Sequence, residues 1–169
     1  MIFKGINNQT VELRITNYQF PDIIDGDWDS NWLFIYLNVR SQVGNWYTVD
    51  PSLTTWDVQI LIDWLVDLSN NKSVKYNNLD FTEPNLSFEL LNDTEAFEKK
   101  IRIKFNLESR PKSASNDNDY FVDCIMNNVQ LLLVSDALKV ELNKFPERKL
   151  VHDNTLHQNR WSWWQKIFK

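Results

Sequence analysis

The sequence predicts an α+β fold, in which a mostly antiparallel β-sheet built from hairpins packs against two main helices. Two observations lead to this prediction. Several segments alternate apolar and polar side chains, which is the period of a half-buried strand. Two other segments repeat apolar residues at intervals of three and four, which is the period of a helix face. The length of 169 residues suits one domain with a single core.

Two hairpins are expected first. Residues 2–17 are predicted as the opening hairpin, because TVELRI alternates and Asn7-Asn8 tolerates the positive φ of a tight turn. A second hairpin joins NWLFIYLNVRS to NWYTVD around Gly44. Both faces of its first strand are apolar, which predicts a central strand with cover on each side and argues against an exposed, sugar-stacking aromatic surface. One face holds Leu33, Ile35, Leu37 and Val39, and the other holds Trp32, Phe34 and Tyr36.

Two helices follow from the change of period. The first is predicted over about 54–69, with Thr54 or Thr55 as its N-cap and Asp57 near its positive end. The second is predicted over about 128–145, where Asn127 and Gln130 form a capping-box pattern and a proline marks the end. Strands are expected in NLSFELLN, EKKIRIKFNLE and YFVDCIMN, and a loop in SRPKSASNDND. The sequence shows no internal repeat.

Charge divides the chain into two unequal parts. Residues 147–169 hold five basic side chains against two acidic ones, a net +3, which leaves −8 for residues 1–146 out of the total of −5. We therefore expect a domain over 1–146 followed by a basic, Trp-rich C-terminal extension over 147–169. An acidic body argues against direct nucleic-acid binding, because neutralising phosphates requires clustered Lys and Arg.

The extension holds three of the eight tryptophans, Trp161, Trp163 and Trp164. Three alternatives remain open for them: packing back on the domain, contact with a partner or a second copy, and attachment to a membrane surface. In a helix over 155–169, a short apolar stripe would form from Leu156, Trp161, Trp164 and Phe168. Only a few basic residues would flank it, and such a stripe gives weak membrane attachment. Packing on the chain's own domain is therefore the favoured interpretation.

The residues give no indication of catalysis, of a metal or of a cofactor, so we expect a protein that is not an enzyme. Asp25, Asp27 and Asp29 alternate as at the start of a calcium-binding loop, yet Ser30 and Tyr36 stand where that loop needs Gly and Glu. Three glycines in the chain are too few for a phosphate-binding loop of the known motifs.

Cys124 is the single cysteine, and with no Cys or His close to it in the sequence it is interpreted as a small core residue. A single cysteine also excludes an internal disulfide, as is usual in a reducing compartment. The sequence lacks a signal-peptide pattern and an apolar run long enough to span a bilayer. We therefore expect a cytoplasmic protein without a transmembrane segment.

Four separated motifs stand out in combination. They are Asp29-Ser30-Asn31-Trp32, Asp50-Pro51-Ser52-Leu53-Thr54-Thr55-Trp56, Glu83-Pro84-Asn85-Leu86 and Lys144-Phe145-Pro146. With these motifs, residues 1–146 resemble the WapI-type immunity proteins of Gram-positive bacteria, whereas the extension falls outside the resemblance. The resemblance implies a protein that binds the C-terminal domain of a wall-associated YD-repeat toxin and blocks it, as part of a polymorphic toxin system of contact-dependent inhibition. Such toxin domains include nucleases that cleave transfer RNA.

A nuclease presents a basic cleft, to which an acidic partner is steered. We therefore expect the partner to contact the acidic segment 22–31, which contains Asp22, Asp25, Asp27 and Asp29, with the 112–119 loop as a second contact. The alternative hypothesis is a non-catalytic interaction or scaffold module, associated with a membrane surface through its tail. The sequence leaves the cognate toxin unidentified and leaves monomer and homodimer equally open.

Overall fold

The structure, a computed structural model, describes residues 1–24, 26, 28–95, 98–115 and 118–149, with the backbone alone for residues 92–95. This part of the chain has the predicted α+β class. The strands are β1 (Ile2–Lys4), β2 (Thr10–Tyr18), β3 (Trp32–Ser41), β4 (Gly44–Thr54), β5 (Asn78–Asp80), β6 (Leu86–Glu95), β7 (Glu98–Phe105) and β8 (Tyr120–Asn127). The helices are α1 (Thr55–Ser69) and α2 (Asn128–Leu142).

The strands form two antiparallel sheets rather than one. Strands β1 to β4 make the first sheet and β5 to β8 make the second, each in chain order. Each sheet is followed at the next residue by a helix, so the order of four strands and a helix occurs twice without a repeat in the sequence. The two helices pack against each other.

Both helices begin where the sequence predicts. The Thr54 hydroxyl accepts from the Asp57 backbone N–H at 3.1 Å, and the Asp57 carboxylate accepts from the Thr54 N–H at 2.8 Å. Asn127 and Gln130 make the same reciprocal pair, with both distances at 2.9 Å. These capping boxes satisfy backbone donors that have no partner within the helix.

Helix α2 ends at Leu142, three residues before the predicted end. Phe145 has left the helix and packs edge-on against Tyr18, with ring centroids 5.4 Å apart. Contact with the first sheet thus ends the helix before the proline does.

The predicted opening turn is confirmed, since Asn7 and Asn8 both adopt positive φ, at 54° and 59°. Gly44, at the second hairpin, has a φ of 138°, a conformation that side chains other than glycine's rarely adopt.

Apolar side chains from both sheets and both helices form one buried cluster. Four inward residues of β3 belong to it, namely Leu33, Ile35, Leu37 and Val39. The other face of β3 is only half-buried at Phe34 and Tyr36, and beside it Tyr47 of β4 is 73% exposed. The expectation of cover on both faces is therefore wrong, because a strand that is interior in the hydrogen-bonding order of a sheet need not be covered on each side.

Cys124 lies fully buried on β8, as predicted. Burial, with a smaller contribution from the neighbouring Asp123 carboxylate, raises the pKa of its thiol to about 12. Neither helix among the described residues is long and apolar enough to cross a bilayer.

Candidate protein-binding site

The loop between β2 and β3, residues 19–31, is the meeting point of distant parts of the chain; we call it the acidic loop. Asn31 lies at its end with a fully buried side chain. Its Oδ1 accepts from the Arg148 backbone N–H at 2.8 Å and from the Thr55 hydroxyl at 3.2 Å. Its Nδ2 donates to the Arg148 carbonyl oxygen at 3.0 Å. One amide therefore joins the acidic loop to the start of α1 and to the segment after α2.

Arg148 also holds the acidic loop through its side chain. The guanidinium lies over the Tyr18 ring, 3.6 Å from the ring centroid. It donates to the backbone carbonyl oxygens of Phe20, Pro21, Ile23 and Ser30. Because the planar guanidinium presents several donors in fixed directions, it can bind this many carbonyl groups at once. The first residues of the predicted extension thus contact the domain directly.

Tyr18 adds a second connection to the end of α2. Its hydroxyl donates to the Pro146 carbonyl oxygen, and its ring contacts Phe145. Burial raises the pKa of Tyr18, while the nearby Arg148 cation opposes that shift. The neutral, hydrogen-bonding form of the phenol is therefore favoured.

Asp57 connects the start of α1 to the segment before β6. Its carboxylate is 2% exposed, accepts from the Thr54 hydroxyl at 2.8 Å and accepts from the Thr82 hydroxyl at 3.3 Å. Burial raises its pKa, although these hydrogen bonds favour the ionised form. The motifs around residues 50–56 and 83–86 are therefore neighbours in space.

A groove of about 510 Å³ lies among these motifs; we call it the aromatic groove. Its lining residues are Gln19, Phe20, Trp28, Asp29, Trp32, Pro51, Thr82 and Glu83. Trp28 is 39% exposed and packs on Trp56, with ring centroids 4.9 Å apart. Partly exposed aromatic rings beside carboxylates are suited to a ligand that is both apolar and cationic.

Three carboxylates accumulate beside the groove. Burial first, and then the negative charges of Glu108 and Glu83, raise the pKa of Asp50. Mutual repulsion of this kind is relieved when a cation approaches, so this edge of the domain favours a basic partner.

The structure brings part of the predicted contact set to this surface. Asp22 is exposed on the acidic loop, and Asp29 is exposed and lines the aromatic groove. Asp25 and Asp27 lie outside the described residues, as do Trp161, Trp163 and Trp164. In the 112–119 loop, apart from residues 116 and 117, the exposed side chains include Lys112, Ser113 and Asp119.

Sequence reasoning missed Glu83, Asp50 and Arg148 as members of this surface. Glu83 and Asp50 belong to quoted motifs, but nothing in their spacing predicts that they meet. Arg148 stands beyond those motifs, and its contacts with the acidic loop join residues more than a hundred positions apart. No group of three or more His, Cys, Asp and Glu side chains within the described ranges is placed to hold a metal ion.

An α+β domain whose separated motifs converge on an aromatic groove with carboxylates beside it has the features of a protein-binding module. The model of the immunity protein WapI-like family matches residues 1–146, and the chain belongs to that family. No curated protein matches the chain by sequence.

Proposed function

We propose that this protein binds the toxic C-terminal domain of a polymorphic toxin and neutralises it by stoichiometric occlusion. Membership of the immunity protein WapI-like family over residues 1–146 is the observation that carries the proposal. Such a role is non-enzymatic, and its place of action is the cytoplasm of the cell that makes the toxin. The proposed target is a nuclease domain, with transfer RNA as the substrate that the toxin can no longer reach.

Electrostatics supports a nuclease as the target. The catalytic cleft of a nuclease is basic because it binds phosphates. The body of this protein carries −8, and four of its acidic residues, Asp22, Asp25, Asp27 and Asp29, lie within eight residues of the acidic loop. Complementary charge of this kind speeds association and orients the two proteins as they meet.

The aromatic groove supplies the apolar part of the proposed contact. Interfaces concentrate their binding energy in a few buried aromatic or arginine side chains surrounded by polar ones. Phe20 and Trp28 are each more than one-third exposed, and both lie next to the acidic loop. The proposed interface therefore combines carboxylates that steer the encounter with rings that slow dissociation.

Co-expression tests the function directly. The C-terminal domain of the proposed target toxin is produced in cells with and without the full chain. Survival with the chain and death without it is the expected result, together with a complex that persists through size exclusion. Equal killing in both cultures, with no complex, would exclude the function.

The role of the acidic loop is tested separately by association kinetics. Reversing Asp25, Asp27 and Asp29 to lysine should slow association strongly at low salt and weakly at high salt, because salt screens the steering. The control reverses Asp63, Glu98 and Asp136, which are exposed carboxylates on α1, β7 and α2. If the loop variant associates as fast as the control at every salt concentration, the loop is not in the interface, whatever the outcome for the function.

A further inference from the structure

The described part of the chain ends beside the aromatic groove. The backbone of Arg148 is bound to Asn31, which lies between the groove residues Asp29 and Trp32 in the sequence. The Arg148 side chain also donates to the carbonyl of Phe20, another groove residue. Lys149 therefore lies at the border of the groove, and twenty more residues follow it in the sequence.

The composition of those twenty residues complements the groove. Residues 150–169 carry three basic side chains against one acidic side chain, a net +2, and include three tryptophans and one phenylalanine. The groove offers aromatic surface at Trp28 and Trp32 and carboxylates at Asp29 and Glu83. Indole rings stack favourably on other aromatic rings, and Lys or Arg interacts favourably with both carboxylates and ring faces.

Length and volume also permit the contact. Eleven residues separate Lys149 from Trp161, and an extended segment of that length reaches roughly 35 Å. The segment is therefore long enough to place Trp161 in a groove that borders Lys149. A volume of about 510 Å³ is in the range of sites that hold small aromatic molecules.

We propose that the aromatic groove is the docking site of the chain's own C-terminal segment, residues 156–169. Indole rings of Trp161, Trp163 and Trp164 occupy the aromatic surface, and the basic side chains of the segment pair with the carboxylates of Asp29 and Glu83. The proposal concerns the protein without its toxin and does not depend on the toxin function.

A second exposed apolar surface is a weaker candidate for the same segment. On α2, Val129, Leu132, Leu133 and Val140 form an exposed stripe. The carboxylate within that stripe, Asp136, is already paired with Lys139 at 3.2 Å. At the groove, Glu83 and Glu108 lie close enough to Asp50 for their negative charges to act on it, so charge favours the groove over the helix.

Hydroxyl-radical footprinting of the full chain tests the proposal, because oxidation of an aromatic side chain reports whether it is covered. In the variant Trp161→Ala/Trp163→Ala/Trp164→Ala, oxidation of Trp28 should become several-fold faster than in the natural sequence. Tyr47, exposed on the outer face of the first sheet, is the internal reference and should not change. The matched control variant, Gln158→Ala/Gln165→Ala, alters the same segment and should leave Trp28 protected.

A substitution on the groove side supplies an independent arm. Glu83→Lys should expose Trp28 in the same way, and added salt should expose it in the natural sequence. The control is Glu98→Lys. Glu98 lies at the start of β7, whereas the end of β7 pairs with the part of β6 that follows Glu83. This variant should leave the oxidation of Trp28 unchanged.

Each of the other outcomes would overturn the proposal. Equal Trp28 oxidation in the natural chain and the triple variant would mean that the segment does not cover the groove. Faster oxidation at Leu132 and Leu133 instead would place the segment on α2. Protection that disappears on dilution would assign the contact to a second copy, and protection that requires anionic phosphatidylserine vesicles would assign the segment to a membrane.

Discussion

The side chain of Arg148 binds several backbone groups of the acidic loop at once. Its guanidinium contacts four backbone carbonyl groups and the face of Tyr18. The four carbonyl groups belong to one loop and Tyr18 to the strand before it, whereas the arginine lies beyond the end of α2. The shape of the proposed binding surface therefore depends on a residue that lies outside the segment matched by the family model.

Replacing Arg148 with alanine should destabilise the fold by about 2–3 kcal/mol, because several charge-assisted hydrogen bonds are lost together. Arg148→Lys should recover only part of this, since an ammonium group cannot reproduce the planar set of donors. Urea unfolding measures both, with Lys149→Ala as the neighbouring control at under about 0.5 kcal/mol. If the alanine variant is as stable as this control, the contacts with the loop do not stabilise the fold.

Asp50 provides a pH-dependent test of the carboxylates beside the groove, Asp50, Glu83 and Glu108. Its pKa is raised above the ordinary 3.8, so the ionised carboxylate is less favourable in the folded than in the unfolded state. At neutral pH the ionised group therefore lowers stability, and protonation removes this penalty as the pH falls through the raised pKa.

Asp50→Asn should accordingly raise the free energy of unfolding at pH 7 by about 0.5 kcal/mol, because the neutral amide removes the cost of burying a charge and the repulsion from Glu108 and Glu83. The gain should shrink as the pH is lowered towards 3.8, where the natural carboxyl takes up its proton. Denaturant unfolding across this range measures the effect, and Glu98→Gln is the control. A variant less stable than the natural protein at pH 7 would show that Asp50 makes a net favourable contact instead.

Cys124 should be unreactive in the folded protein. Its thiol is buried and its pKa is raised to about 12, so thiolate is scarce at pH 8. Alkylation by iodoacetamide should be slow under native conditions and should rise in parallel with global unfolding in urea. Fast alkylation without denaturant would show that the end of the second sheet opens locally.

At the scale of elements, both helix starts and the end of α1 were predictable from the sequence, whereas the end of α2 was not. A capping box is formed by two residues three positions apart, so the sequence alone predicts both helix N-termini. The early end of α2 depends on Phe145 meeting Tyr18, a contact between distant segments. Strand β5, only three residues long, leaves no periodic pattern and was not predicted.

The two caps should differ in energetic weight. Asn127→Ala should cost about 1 kcal/mol, the usual value for an exposed N-cap. Thr54→Ala should cost about 2 kcal/mol, because it also removes a hydrogen bond from the buried Asp57 carboxylate. Thermal or urea unfolding compares them, with Thr54→Ser as the variant expected to retain most of the stability. Equal costs at the two sites would mean that burial adds nothing to the Thr54 cap.

At the scale of the whole molecule, strand patterns alone could not show that the eight strands of the described residues divide into two sheets. Each hairpin depends on neighbouring residues, but the division into two sheets depends on contacts between distant side chains. An example is the contact of Phe3 on β1 with Phe88 on β6, whose ring centroids are 5.7 Å apart. The same limit applies to the candidate site. Its motifs are visible in the sequence, yet only the fold shows that Asn31, Thr55 and Arg148 form one hydrogen-bonded group.

The twofold succession of four strands and a helix places the proposed binding surface at a junction between its two units. The aromatic groove draws residues from the first sheet and from the segment that leads into β6. A partner bound there would contact both units at once. Binding should therefore stabilise the whole domain rather than a single loop, by mass action on the folded state.

Titration of the toxin domain with the full chain tests the central claim most directly. The purified C-terminal domain of the proposed target toxin is assayed for nuclease activity at a concentration well above the dissociation constant, while the chain is added in steps. The account predicts a linear fall in activity that reaches its floor at an equimolar amount. Activity that persists in the presence of excess chain would contradict the claim that this protein neutralises the toxin.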